Sequence, residues 1–328
     1  MKEIGSFIEL EFPKGKEFYN NKTFGKENIK RLNNARTGIF HAIKCYGVKK
    51  VYLPIYECNT VRDFLIKKGI AVKYYKIDKD FRPLIKTNEN NSAIVFVNYY
   101  GVMSRKHFNF IKHFNNVIID NAQGFFFEPI KNCMNVYSCR KFVGVPDGSY
   151  VIGKNANRFE YDKDYSSDTA AFLLMRSEYG LEGKTYTTRK LNEERIDNSD
   201  VLEMSDLTRI ILDGYNYSQN IKKRKSNFKY ARKLFDSINL LNINRLSDEN
   251  VVPMVYPLLI DKDIINELHE NKIFQGHWWE YIVEETKEEM FENKLSKYII
   301  PITIDQRYSK HDIKYQYELI KSILEKKA

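Results

Sequence analysis

Two short apolar runs in this chain end in residues able to do chemistry. "VIIDNAQGFFFEP" (117–129) places Asp120 and Gln123 directly after three apolar residues. "NVYSCRKFVGVPDGSYVIG" (135–153) sets Ser138, Arg140 and Lys141 in the same relation to a second run. A lysine at the end of a buried strand is costly while charged and unpaired. Desolvation and a neighbouring cation such as Arg140 would lower its pKa. The free amine is then a nucleophile toward a carbonyl, as Schiff-base chemistry requires. An aspartate at the end of an adjacent strand is the partner that a protonated pyridine nitrogen needs. Together they make the minimal protein kit for pyridoxal phosphate, a lysine for the aldehyde and an acid for the ring nitrogen. The same spacing also suits a surface lysine and a turn-forming aspartate.

The elements that must position these residues alternate between residues 35 and 152. "RTGIFHAIKCYG" (36–47) reads as a helix stopped by Gly47, "KKVYLP" as a strand stopped by Pro54, and "NTVRDFLIKKG" as a helix closed by Gly69. "AVKYYKID" and "SAIVFVNYYG" follow as strands, then "RKHFNFIKHF" as a helix, and "NVIID", "NVYS" and "SYVIG" as further strands. This alternation predicts an α/β fold with a mostly parallel central sheet flanked by helices. Ligands gather beyond the carboxyl ends of such strands, where Asp120 and Ser138 fall. Residues 154–203 read as charged loop and short helix, and 204–238 as one long helix broken near Gly214. A smaller C-terminal α+β unit follows, with strands in "VPMVYPLLI" and "KYIIPI" and a last amphipathic helix from about 310. The expected division is a large domain over 1–205, and a linking helix with a small domain over 206–328.

With 328 residues, 43% of them apolar, a sizeable core can be buried. The first twenty residues are charged throughout, unlike a signal peptide, and no apolar run suits a membrane span. The four cysteines form no CxxC pair and the six histidines show no metal spacing, so no metal is expected, and reduced thiols point to the cytoplasm. A net charge of +10 invites a nucleic-acid reading, but its densest cluster, "IKKRKSNFKYARK" (221–233), suits one solvated helix face. Neither nucleic acid nor membrane is expected as a partner. A basic balance also suits a phosphorylated small substrate.

Read in order, these motifs resemble the DegT/StrS group of nucleotide-sugar aminotransferases, fold type I pyridoxal-phosphate enzymes, along nearly the whole chain. "NNARTGIFHAIK" is similar to the family's "SGTxAL" helix opening, which implies that Arg36, Thr37 and Gly38 hold the cofactor phosphate. "VYLPIYECNTV" resembles "LLPxYTxxA", whose aromatic stacks on the pyridine ring; Tyr56 and Cys58 are the candidates for that position. "VFVNYYG" resembles "VHLYG" and brings Tyr100 toward the substrate. "IDNAQGF" matches "DxAQA", implying Asp120 on the ring nitrogen and Gln123 on the phenolic oxygen. "YSCRKFVGVPDGSYV" resembles the serine–lysine loop, with Ser138 at the phosphate and Lys141 on the cofactor aldehyde. Its serine-to-lysine interval is three residues, against the family's usual five. "MSDLTRIIL" and "IPITIDQRYSKHDI" resemble the family's "MSELxAAI" and "LPLxxxxxxEDI", the latter carrying Arg307 as a substrate candidate. "GHWWEY" (276–281) either caps the substrate pocket through Trp278 or packs the small domain.

The resemblance implies a pyridoxal 5'-phosphate-dependent aminotransferase working as a homodimer with a site shared at the two-fold axis. It would move an amino group from a donor such as L-glutamate to a nucleotide-linked keto-sugar, for surface polysaccharide or glycoconjugate synthesis. Lys141 argues against the dehydratase branch, which carries histidine there. Two alternatives stay open: an enzyme of the same fold with a non-sugar acceptor, and a member that binds ligand without turnover.

Overall fold

The computed structural model describes residues 4–181 and 183–326. Seven strands form the main sheet: β1 Ile29–Leu32, β2 Lys50–Pro54, β3 Ala71–Tyr75, β4 Ala93–Val97, β5 Val117–Asn121, β6 Met134–Ser138 and β7 Ser149–Ile152. Their order is β1-β7-β6-β5-β4-β2-β3. Strands β3, β2, β4, β5 and β6 run parallel, and β7 is antiparallel to both of its neighbours. Every residue of β4, β5, β6 and β7 is buried, as expected of strands covered on both faces. The expected α/β architecture is present. A second, two-stranded antiparallel sheet pairs β8 (Val255–Leu259) with β9 (Ile299–Thr303) and packs with helices Tyr217–Phe235 and Lys310–Lys326.

The chain leaves β2 outward to β3, then returns to place β4 on the other side of β2. The sheet therefore has its topological switch point between β2 and β4, where carboxyl-end loops diverge and open a crevice. The loops after β2, β4, β5 and β6 all face that end.

Three apolar clusters set these loops. Helix Ala35–Tyr46 lays Ile39, Ala42 and Ile43 against Val51, Val136 and Val151 on one face. On the other face a single cluster runs from Ile94 and Phe96 through Tyr256 and Leu258 to Ile313, joining both sheets. The third holds two of the three consecutive phenylalanines at 125–127. Phe125 and Phe126 pack with Phe18, Phe142 and Tyr217, which anchors the loop carrying Lys141 from below.

Gly38 allows helix Ala35–Tyr46 to sit this close to the sheet. A Cβ there would lie 2.8 Å from Val136 Cγ1 and 3.2 Å from Val151 Cγ2. Gly38→Ala is expected to destabilise the chain by about 1–3 kcal/mol through overpacking. Urea unfolding would check this, as a lowered midpoint at unchanged slope.

The expected break in 204–238 is present, and the structure departs from the sequence expectations over 105–113 and 154–203. The segment over 204–238 is two helices, Asp206–Asp213 and Tyr217–Phe235. The break has a local and a distant cause: Asn216 caps the second helix at Gln219 N–H, and Pro13 lies so close to Gly214 that a Cβ there would be 2.4 Å from its carbonyl oxygen. Over Arg105–His113 the chain forms a 3-10 run rather than an α-helix. Residues 154–203 contain a fifteen-residue helix, Lys184–Asn198, packed beside the Lys141 loop.

Candidate active site

Asp120 is the fourth residue of β5 and is 4% exposed. Its Oδ1 accepts the Ala122 N–H at 2.7 Å, which fixes the carboxylate at the turn. Burial raises its pKa, opposed by that hydrogen bond and by the Lys141 charge. Lys141 follows β6 and is exposed, with no hydrogen bond or ion pair among the described residues. This corrects the expectation of a desolvated lysine. Arg140, the expected neighbouring cation, is ion-paired to Glu193, so its charge is largely compensated.

Gln123 and Tyr100 are brought together. Gln123 Oε1 accepts the Tyr100 N–H at 2.5 Å, leaving the amide nitrogen as the free donor end. Tyr100 has φ of 59°, a strained backbone for a bulky side chain, and stands beside Gly101. Its hydroxyl meets the Tyr56 hydroxyl at 2.8 Å. Trp278 lies over the Tyr100 ring with centroids 5.0 Å apart, and Trp279 meets Tyr56 edge-on at 4.5 Å. Both tyrosines are fully buried in this aromatic group, while Cys58 is half-buried with its Sγ 3.1 Å from Thr60 Oγ1.

The residues assigned to a phosphate gather at the start of helix Ala35–Tyr46. Asn34 caps it, accepting the Thr37 N–H on its side chain and the Gly38 N–H on its carbonyl. The Thr37 hydroxyl bonds Asn33 Oδ1 at 2.8 Å. Arg36 points away, donating to Asp197 and to the Ile196 carbonyl. The N–H groups of Ala35 and Arg36 thus remain the open donors of this turn, a position suited to an anion. Ser138 ends β6 opposite Ser149 of β7, and a Cβ on Gly38 would lie 3.1 Å from Ser149 Oγ. Arg307 stands further off, half-exposed and paired with Asp305 at 2.7 Å. Its neighbour Gln306 donates to the Phe142 carbonyl of the Lys141 loop.

Two acids absent from the sequence reading also belong here. Asp147 closes the Lys141 loop. It accepts the Ser205 N–H at 2.8 Å, the Ser205 hydroxyl at 2.6 Å and the Thr208 hydroxyl, so the loop is pinned to the start of helix Asp206–Asp213. Glu57, between the two stacking candidates, is buried in the turn after β2. The charges of Asp120 and Lys141 both bear on it. An acid directly behind an apolar strand, the signal that picks out Asp120, picks out Glu57 too.

Among the described residues no group of three or more His, Cys, Asp or Glu could hold a metal, and all four cysteines are free thiols. No described helix is long and apolar enough to cross a membrane. No family model and no curated protein matches the sequence. Solved structures do match the fold. A DegT DnrJ EryC1 StrS aminotransferase from Brucella abortus superimposes with a TM-score of 0.61 at 12% identity, over 92% of this chain and 87% of that one. Sugar aminotransferase CalS13 from Micromonospora echinospora gives 0.61 at 14% identity, over 92% and 89%. NtdA from Bacillus subtilis, with bound cofactor PMP, gives 0.60 at 14% identity, over 89% and 73%. This chain has the fold of the pyridoxal-phosphate-dependent sugar aminotransferases.

Proposed function

We propose that this protein is a cytoplasmic pyridoxal 5'-phosphate-dependent aminotransferase that moves an amino group from L-glutamate to a nucleotide-linked keto-sugar, in the making of a surface glycan or glycoconjugate. The observation that carries the reading is an unpaired Lys141 in the loop after β6 and a buried Asp120 near the carboxyl end of the adjacent parallel strand β5, in a fold shared with such enzymes. The residues present fit the group. A lysine free of partners follows the strand beside a buried acid, an amide has its nitrogen end open, and open N–H groups at a helix start lie beside the serine-bearing ends of β6 and β7.

Bound there, the cofactor would supply an electron-accepting ring that loosens the C–H bond beside the transferred nitrogen. Asp120 holds a proton on the ring nitrogen. The Gln123 amide nitrogen donates to the ring oxygen, and Ser138 with the Ala35 and Arg36 N–H groups holds the phosphate. Lys141 would hold the aldehyde and, as a free amine, would move the proton at the substrate carbon. Trp278, packed against Tyr100, would close the acceptor side. The experiment is to add pyridoxal 5'-phosphate, L-glutamate and a panel of keto-sugar nucleotides, and to look for an amino-sugar by mass spectrometry. Appearance of a yellow band with cofactor and its bleaching by glutamate are the expected first results; a chain that never colours sinks the reading.

A second reading, ligand binding without turnover, is favoured by the engagement of Arg36 with Asp197 and of Thr37 with Asn33. It predicts no bleaching by glutamate.

The enzyme is further proposed to be a homodimer. Ile4, Phe7, Ile8 and Leu10 are exposed in an arm ahead of the first helix, and Tyr165, Leu174 and Tyr179 are exposed near the Lys141 loop. A second copy would cover such surface and close the crevice. Sedimentation at micromolar concentration should give twice the chain mass; a monomer that still binds cofactor would contradict this.

A further inference from the structure

Arg224, on helix Tyr217–Phe235, is a guanidinium enclosed by the fold at 2% exposure. It makes no ion pair among the described residues, and Asp305, an acid whose charge acts on it, is already paired with Arg307. A buried cation without a counter-ion is costly, and a neutral side chain would fill the same space at lower cost. What a guanidinium adds is a planar fork of donors.

That fork reaches both sides of the candidate site. Nε donates to Gln306 Oε1 at 2.9 Å, and Gln306 Nε2 donates to the Phe142 carbonyl at 3.1 Å. Phe142 is the residue after Lys141, and its ring lies 4.5 Å from the guanidinium. Nη1 donates to the Pro253 and Met254 carbonyls at 3.2 and 3.0 Å. The Met254 N–H donates in turn to the Tyr100 carbonyl at 2.9 Å, and the Tyr100 N–H to Gln123 Oε1 at 2.5 Å. An unbroken hydrogen-bonded relay thus runs from the Lys141 loop through Arg224 to the Gln123 amide. Tyr100 is its strained link, since a bulky residue keeps a φ of 59° only where its surroundings over-determine it. Beside it, a Cβ on Gly101 would lie 3.2 Å from Met254 N and 2.2 Å from the Gln123 carbonyl oxygen, so these segments are wedged together. Loosening residues 253–254 lets Tyr100 relax and Gln123 turn.

We propose that Arg224 is a positioning residue for the candidate site, holding the Lys141 loop and the Gln123 amide in one fixed relation. The relay stands on geometry alone. Its effect on the cofactor rests on the proposed function, in which the Gln123 nitrogen donates to the ring oxygen. A donor there favours the anionic oxygen, so the proton shared with the Lys141 nitrogen is lost more easily. Displacing Gln123 therefore raises the pH at which the yellow band fades.

A mutant cycle on that pH midpoint, with pyridoxal 5'-phosphate bound, is the test. Arg224→Met should raise the midpoint by about one pH unit, roughly a tenfold change in proton affinity. Gln123→Leu should raise it at least as far, and adding Arg224→Met to Gln123→Leu should move it no further. An unmoved midpoint in Arg224→Met, or two shifts that add, would overturn the proposal. A residue that only stabilised the fold would leave the midpoint in place. Arg224→Lys keeps the charge but loses the fork, should shift the midpoint the same way, and carries the cycle if Arg224→Met does not fold. Without cofactor, hydrogen exchange reads the same relay: in either Arg224 variant the Tyr100 and Met254 amides should exchange about tenfold faster, with helix Ala35–Tyr46 unchanged. Unchanged exchange at Tyr100 overturns the relay. If the chain never colours, or Gln123→Leu leaves the midpoint in place, the cofactor reading of the site falls and the exchange rates alone decide.

Discussion

Lys141→Ala should lose transamination by about 10⁴-fold or more, the upper end of what a positioned acid–base group contributes, because it also loses the covalent attachment point. The fold should not change. Lys141 is exposed and makes no hydrogen bond or ion pair among the described residues, so its removal should shift stability by no more than about 0.5 kcal/mol. Its loop is held by other groups: Phe142 against Phe125 and Phe126, the Arg224 guanidinium 4.5 Å over the Phe142 ring, and Asp147 on the Ser205 N–H. The check is a pair of measurements, amino-sugar formation and the urea midpoint. A variant retaining a tenth of the activity would remove Lys141 from the chemistry.

Asp120→Asn should slow turnover by about 10²–10³-fold, the usual cost of removing one preorganised electrostatic group. Asparagine cannot keep a proton on the ring nitrogen, yet its carbonyl oxygen can still accept the Ala122 N–H, so the turn survives. The stability effect has the opposite sign to the activity effect. Burial raises the Asp120 pKa, so its contribution to stability falls as pH rises, and the variant should be at least as stable as the wild type at pH 8. Near-normal turnover would show that the acid acts elsewhere; a large loss of stability would show that its charge is structural.

The parallel sheet and its helices were legible because each element carries its own signal. Helix Ala35–Tyr46 has an apolar stripe, an Asn34 cap and a left-handed Gly47 stop, all local in sequence. Strand β1 was not legible, since "IKRL" sets two basic residues between two apolar ones without alternation and becomes a strand only by pairing Ile29 to Leu32 with β7. The helix break near Gly214 was legible from the glycine and the Asn216 cap, whereas the close approach of Pro13, two hundred residues away, has no local signal. In the site, Asp120 and Lys141 were found because each ends an apolar run. Arg140 misled because its partner Glu193 is distant in sequence. Glu57 also follows an apolar run, but it stands between Tyr56 and Cys58, the two positions that match the stacking motif.

The central claim is that Lys141 binds the cofactor aldehyde, and borohydride reduction followed by peptide mapping tests it most directly. The protein is incubated with pyridoxal 5'-phosphate, reduced and digested, and the labelled peptide is sequenced. The account predicts one labelled lysine, Lys141, in the peptide that follows Ser138. A label on Lys154 or any other lysine, or no label at all, would contradict it.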